Sequence, residues 1–263
     1  MPEGDTIHRS ARTLHKALAG KEVLRFRTRH PQLAPLDLAA VHVESVEARG
    51  KNLLIDVGVA TLPTHMRMRG AWHIYREGDR WKRPRRDAEI IIVTEPWSAV
   101  GFSIPQARWI RGAEQSAPLK GLGPDLLDDT LDTETFVDAL KNVEEPLGVA
   151  LMDQRRLSGI GNVYKSELCF LAGADPFAPT RSLDEVLLTD LVDNARRLLR
   201  RNLHTPRRIT RPDRAHPLWV YRRDGEHCFR CSSMLQMRHQ GAPLRGQAIR
   251  STYFCPRCQK VTG

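Results

Sequence analysis

Four of the five cysteines, Cys228, Cys231, Cys255 and Cys258, stand in the last 36 residues as two C-x2-C pairs separated by 23 residues. No other feature limits the fold as tightly. Each pair can sit on a turn that aims two thiolates at one point, and two such turns on a β-hairpin complete a tetrahedral site for a single structural Zn²⁺. Four thiolates leave no open coordination position, so this metal would hold structure and carry no chemistry. In a reducing compartment such thiols bind metal instead of pairing as disulfides, and we expect a cytoplasmic, nucleoid-associated protein. Cys169, alone in the apolar stretch 168–172, reads as a buried filler.

At 263 residues the chain has room for two modest domains, or one large domain with an appendage. No apolar run reaches the ~20 residues that cross a bilayer, and the opening lacks the charged-then-apolar pattern of a signal peptide, so no membrane partner is expected. The 41 lysines and arginines against 31 acidic residues give a formal charge of +10. Arginine clusters at 80–86, 196–201 and 207–214 carry much of it. Separate basic clusters favour nucleic acid over a membrane surface, because none is paired with an aromatic-rich apolar face.

Along the chain, Ile7, Ala11, Leu14 and Leu18 repeat at helical spacing, with Asp5 or Thr6 as N-cap and Gly20 as the stop. From residue 22 to about 110 the pattern turns to strands, at Val41, Val43 and Val46, at Leu53, Ile55 and Val57, at 71–75 and at 90–93. Short strands separated by turn residues predict a β-sandwich. A breaker-rich stretch, Gly121-Leu122-Gly123-Pro124-Asp125, marks a boundary, and helices follow. Phe136, Leu140 and Val143 form one stripe and residues 147–152 another. Ser182 with Glu185 predicts a capping box opening a long amphipathic helix. We expect domains at 1–118, 119–217 and 218–263, with 204–217 a basic loop leading to the cysteines.

Two stretches suit chemistry. A proline after the initiator methionine can become the N-terminus, which would place the secondary amine of Pro2 beside the carboxylate of Glu3. For those residues alone an ordinary chain start is the simpler reading. In Gly159-Ile160-Gly161-Asn162 the backbone amides of a helix start could face phosphate, although the same residues suit a plain tight turn.

Taken in order, Pro2-Glu3-Gly4, Arg49-Gly50-Lys51, Gly123-Pro124-Asp125-Leu126-Leu127, Asp153-Gln154 with Gly159-Ile160-Gly161-Asn162, and Arg223-Asp224-Gly225-Glu226 leading into the cysteines resemble the formamidopyrimidine-DNA glycosylase and endonuclease VIII family. The resemblance spans nearly the whole chain. It implies an α+β multidomain fold: an N-terminal helix with a β-sandwich, a helix-two-turn-helix domain and a C-terminal zinc-bound hairpin. It also implies a bifunctional DNA glycosylase and AP lyase acting on damaged DNA as a monomer. In the family picture Pro2 attacks C1′ of a flipped nucleotide, and Glu3 serves as general acid and base. Lys51 reaches phosphate from its hairpin, Gly161, Asn162 and Arg250 hold backbone phosphates, and Met68 wedges into the gap left by the base.

This chain departs from the family's frequent Pro-Glu-x-Pro-Glu opening, since Thr6 replaces the second glutamate and Asp5 is its nearest substitute. Its cysteine spacer is longer than the usual hairpin, and its wedge stretch Met66-Arg67-Met68-Arg69 is rich in arginine. Gly4 and the Arg223 to Glu226 run resemble the endonuclease VIII branch, which implies oxidised pyrimidines as substrates. The altered Thr6 motivates one alternative, a non-catalytic family member that binds damaged DNA. An unrelated zinc-ribbon nucleic-acid binder is another, but it leaves the N-terminal motif unexplained.

Overall fold

The computed structural model describes residues 2–33, 36, 38, 40–116, 119–241 and 248–261; Met1, whose removal the proline chemistry requires, lies outside them. The chain divides into two compact units, 1–120 and 121–263.

The first unit opens with helix α1 (Gly4–Leu18), which buries Ile7, Ala11, Leu14 and Leu18 along one stripe. The helix starts earlier than its periodicity predicts. Its N-cap is Glu3, not Asp5 or Thr6, and the Glu3 carbonyl accepts the N–H groups of Thr6 (2.9 Å) and Ile7 (3.1 Å). Asp5 falls inside the first turn, where its Oδ1 takes the Thr6 N–H at 2.7 Å and its charge complements the helix dipole.

Eight strands follow: β1 (Arg25–Thr28), β2 (Ser45–Arg49), β3 (Asn52–Asp56), β4 (Thr61–His65), β5 (Ala71–Arg76), β6 (Ala88–Val93), β7 (Trp97–Phe102) and β8 (Gln106–Ala107). They form two four-stranded sheets, ordered β1-β6-β7-β5 and β2-β3-β4-β8, with every pairing antiparallel. The expected strand through Val41, Val43 and Val46 is shorter than predicted. Only Val46 lies within β2, while Val43 is buried beside an isolated bridge between Glu22 and His42. One core joins Leu53, Ile55 and Leu62 from one sheet, Ile90, Ile92 and Ala99 from the other, and the apolar stripe of α1. Burial of the stripe, together with the Val46 N–H donated to His15 Nδ1 (3.1 Å), fixes α1 on β2.

The second unit contains α2 (Thr133–Asp138), α3 (Leu147–Ala150), α4 (Asn162–Leu171), α5 (Glu185–Asn202) and the antiparallel pair β9 (Gln236–Gln240) and β10 (Arg250–Phe254). Phe136, Leu140 and Val143 are buried as their stripe predicts, yet α2 ends at Asp138 and the last two lie beyond it. The cap of α5 also differs from the expected box. Asp184 accepts the Leu187 N–H at 2.7 Å, whereas the Ser182 hydroxyl turns back to the Pro179 carbonyl. An aspartate three residues before an amide donor competes well with a serine, and here it is the residue in extended conformation.

Helix α4 is buried from Asn162 to Phe170. Tyr164 and Leu168 join the main helical core. Phe170 joins a second core with Val220, Leu235 and the buried cysteines Cys228 and Cys255. The helical segment and the cysteine hairpin therefore share one helix and form one compact unit.

Candidate functional site

In the first unit Pro2 and Glu3 stand directly before α1, and Glu3 is fully buried. Because α1 is anchored along its length, Pro2 and the Glu3 carboxylate stand at the head of a rigid element. Lys51 occupies the second position of a two-residue turn that joins β2 to β3, whose last pair is Arg49 with Asn52. Gly50 takes φ 58°, which the first position of such a hairpin turn requires and most side chains resist. Asn52 in turn pairs with His65 of β4.

His65 lies within electrostatic reach of both Lys51 and Arg67, and burial with these two cations pushes its pKa down to about 4. The imidazole is thus neutral at physiological pH, and its Nδ1 accepts the Arg67 N–H at 3.0 Å. That bond supports Arg67 in the left-handed region, φ 49°, at the start of the loop to β5. Met68, next in the loop, is 62% exposed. Lys51, His65, Arg67 and Met68 therefore lie at or just past the strand termini at one end of the β2-β3-β4-β8 sheet, although 17 positions separate the first from the last.

In the second unit Gly161 is the N-cap of α4 and Asn162 its first residue. Gln154 staples the preceding turn, donating to the carbonyls of Met152 (2.9 Å) and Ile160 (3.0 Å) and accepting the Gly159 N–H (3.2 Å). Asp153 beside it is held below the usual carboxylate range by its hydrogen bonds to Arg155. Asn162 donates through Nδ2 to the Ser251 carbonyl at 2.9 Å. That bond joins the α4 start to the strand that begins at exposed Arg250, which pairs with Gln240. Asn162, with Gly161 directly before it, is thus hydrogen-bonded to the residue that follows Arg250, within one unit.

The four cysteines meet as the spacing predicts. Their sulfurs lie within 4.8 Å of one another, with Cys228 to Cys258 at 3.9 Å and Cys231 to Cys255 at 3.4 Å. A tetrahedron of thiolates around Zn²⁺ at about 2.3 Å has edges of about 3.8 Å, so this set fits such an ion. Arg223 braces the first pair, donating to the Trp219 and His227 carbonyls and to Glu226. Gln259 braces the second, accepting the Cys255 N–H at 2.8 Å and donating to the Ala174 carbonyl at 2.9 Å. Cys169 is fully buried, and desolvation pushes its thiol up to about 12, as a filler requires.

Sequence reasoning missed Glu167. This fully buried carboxylate accepts the N–H groups of Trp219 (2.8 Å), Val220 (2.9 Å) and Tyr221 (2.9 Å), and the Thr210 hydroxyl. Burial raises its pKa, and those four donors oppose the rise. It ties the basic loop and the approach to the cysteines onto α4. A glutamate followed at once by the apolar run 168–171 was the available signal. The arginine clusters also prove partly structural: Arg196 is buried over the Phe136 ring, Arg200 pairs with Asp129, and Arg211 lies over Phe229.

The formamidopyrimidine-DNA glycosylase N-terminal domain matches residues 1–104, and the formamidopyrimidine-DNA glycosylase H2TH domain matches 122–212. The chain is 42% identical to a probable endonuclease 8 2 of Streptomyces coelicolor, over 98% of this chain and 94% of that protein. It is 38% identical to the DNA-(apurinic or apyrimidinic site) lyase Nei2 of Mycolicibacterium smegmatis, over the full length of both. Its fold matches the Lactococcus lactis formamidopyrimidine-DNA glycosylase solved with abasic-site DNA, with TM-score 0.82 and 22% identity over 99% of this chain and all of that one. The chain belongs to the formamidopyrimidine-DNA glycosylase and endonuclease 8 family.

Proposed function

We propose that this protein is a DNA glycosylase with AP lyase activity, acting on damaged DNA through the nitrogen of Pro2 once Met1 is removed. The observation that carries the reading is the placement of Pro2 and buried Glu3 at the head of an anchored helix. The Pro2 nitrogen attacks C1′ of the damaged nucleotide as the base leaves, and Glu3 moves the protons this exchange requires. Ring opening leaves an iminium. Because Pro2 is a secondary amine, this iminium has no N–H proton to lose, so the adduct keeps its charge and acidifies the C2′ hydrogens. Loss of a C2′ proton expels the 3′ phosphate, a second elimination expels the 5′ phosphate, and water releases the sugar fragment from Pro2.

Lys51 is assigned a phosphate contact, supported by the cations clustered around neutral His65. Gly161, Asn162 and Arg250 are assigned flanking phosphates, supported by their connection through Ser251. The exposure of Met68 suits a wedge between bases. One Zn²⁺ held by Cys228, Cys231, Cys255 and Cys258 would have the structural task of holding β9 and β10, and with them Arg250. The endonuclease 8 name of the Streptomyces coelicolor relative supports the endonuclease VIII branch, and with it the oxidised pyrimidines that the resemblance implies.

Borohydride reduction in the presence of abasic-site DNA tests the reading. Protein whose mass shows that Met1 is absent should form a covalent adduct mapping to Pro2, and protein retaining Met1 should form none. Tight binding of lesion DNA by Met1-free protein without an adduct would leave only the non-catalytic alternative.

A further inference from the structure

We propose that Lys165 is a positioning residue that sets Arg250 by locking β10 onto α4. The proposal rests on the reading of Arg250 as a phosphate contact.

Lys165 lies in the first turn of α4, three residues after Asn162, and is 1% exposed. Its Nζ donates to Thr252 Oγ1 at 2.7 Å and to the Ser251 carbonyl at 3.2 Å. The same carbonyl receives the Asn162 amide. The Thr252 hydroxyl donates onward to Gln240 Oε1 at 2.6 Å, and Gln240 Nε2 donates to the Pro176 carbonyl at 3.1 Å. Gly148 permits this arrangement, because a Cβ there would collide with the Gln240 carboxamide. The Tyr253 N–H donates to Ser166 Oγ at 3.3 Å. Each of the three residues after Arg250 is therefore bonded to a side chain of α4, and Lys165 holds two of them.

Stability alone is a poor reason for a lysine here. A buried ammonium is costly, and a cation in a first turn opposes the helix dipole. Methionine would fill similar space. With it in place the Ser251 carbonyl would keep Asn162, and the Thr252 hydroxyl would keep Gln240. What the ammonium adds is a second, charged hold on Ser251 and Thr252, which fixes the pitch of β10 at the residue from which the Arg250 side chain departs.

Affinity for duplex DNA with an abasic-site analogue, measured across a salt series, tests the assignment on Lys165→Met, Arg250→Ala and the double variant. Arg250→Ala should lower the log-log salt slope by about one and affinity roughly tenfold. Lys165→Met should reproduce most of both losses with zinc content unchanged, and the double variant should be no worse than Arg250→Ala. Because Lys165 is buried, it adds no phosphate contact of its own, and simple loss of stability does not change the number of counterions released. A folded Lys165→Met protein with the wild-type slope, or losses that multiply in the double variant, would overturn the proposal. An unchanged slope in Arg250→Ala would instead sink the phosphate reading of Arg250. If Lys165→Met fails to fold, Thr252→Val, which removes an acceptor and leaves the lysine, is judged by the same slope.

Discussion

His65 and Glu167 show what single side chains do in this protein, and each makes a measurable demand. The folded pKa of His65, about 4, lies below its ordinary value of 6.5, so folding favours the neutral ring. Its contribution is complete above about pH 6.5 and is lost as pH falls toward 4. That interval is worth about 3 kcal/mol at full weight, and about 2 kcal/mol once partial exposure and solvent screening are allowed for. Urea unfolding should thus show stability falling between pH 6.5 and 4 by more in the wild type than in His65→Gln; parallel curves would refute the assignment. Glu167 makes the opposite kind of demand, because its buried carboxylate is the acceptor for three backbone N–H groups and a hydroxyl. Glu167→Ala leaves those donors unsatisfied and should cost about 3 kcal/mol or more. Glu167→Gln turns a donor toward them and should recover only part of this. Chemical denaturation of both variants measures the difference.

The elements show where sequence was informative. The N-terminal helix and the paired cysteines are local patterns, written in spacing over a few residues, and the folded chain forms both; the Gly50-Lys51 turn was an expectation of the family resemblance alone. The α5 cap is not legible in the sequence because Ser182 and Asp184 both suit the role, and spacing to Glu185 does not reveal which backbone turns into the helix. Asp184→Ala should therefore cost about 1 kcal/mol, whereas Ser182→Ala should change stability far less. The reverse order in thermal unfolding would restore the capping box. Helix α4 was legible as a helix but not as a hub. Lys165 finds Thr252 87 positions away, and Glu167 finds Val220 53 positions away. Periodicity reports which face of a helix is apolar. It does not report which distant backbone groups a buried polar side chain satisfies, so the partners of Lys165, Ser166 and Glu167 required coordinates.

At the scale of the molecule, the two units differ in what holds them. The first has a core of strands and one helix and contains none of the clustered cysteines. In the second, Cys228 and Cys255 are core residues, packed with Phe170 at the end of α4. The metal proposed there is the cross-link between two turns that would otherwise bring four thiolates together unfavourably, so its binding energy is folding energy for that part of the chain. Removing it with a chelator should release β9, β10 and the residues bound by Glu167, and then expose Phe170 and loosen the end of α4. Hydrogen exchange followed by mass spectrometry distinguishes this from general unfolding. Peptides from α1 and β2 to β7 should keep their protection, while those from 219–240, 250–259 and the C-terminal half of α4 should lose it. If protection falls equally in both units, the cysteine site supports the whole molecule; if no peptide changes, the apolar contacts of Phe170, Val220 and Leu235 are sufficient to hold the hairpin without an ion.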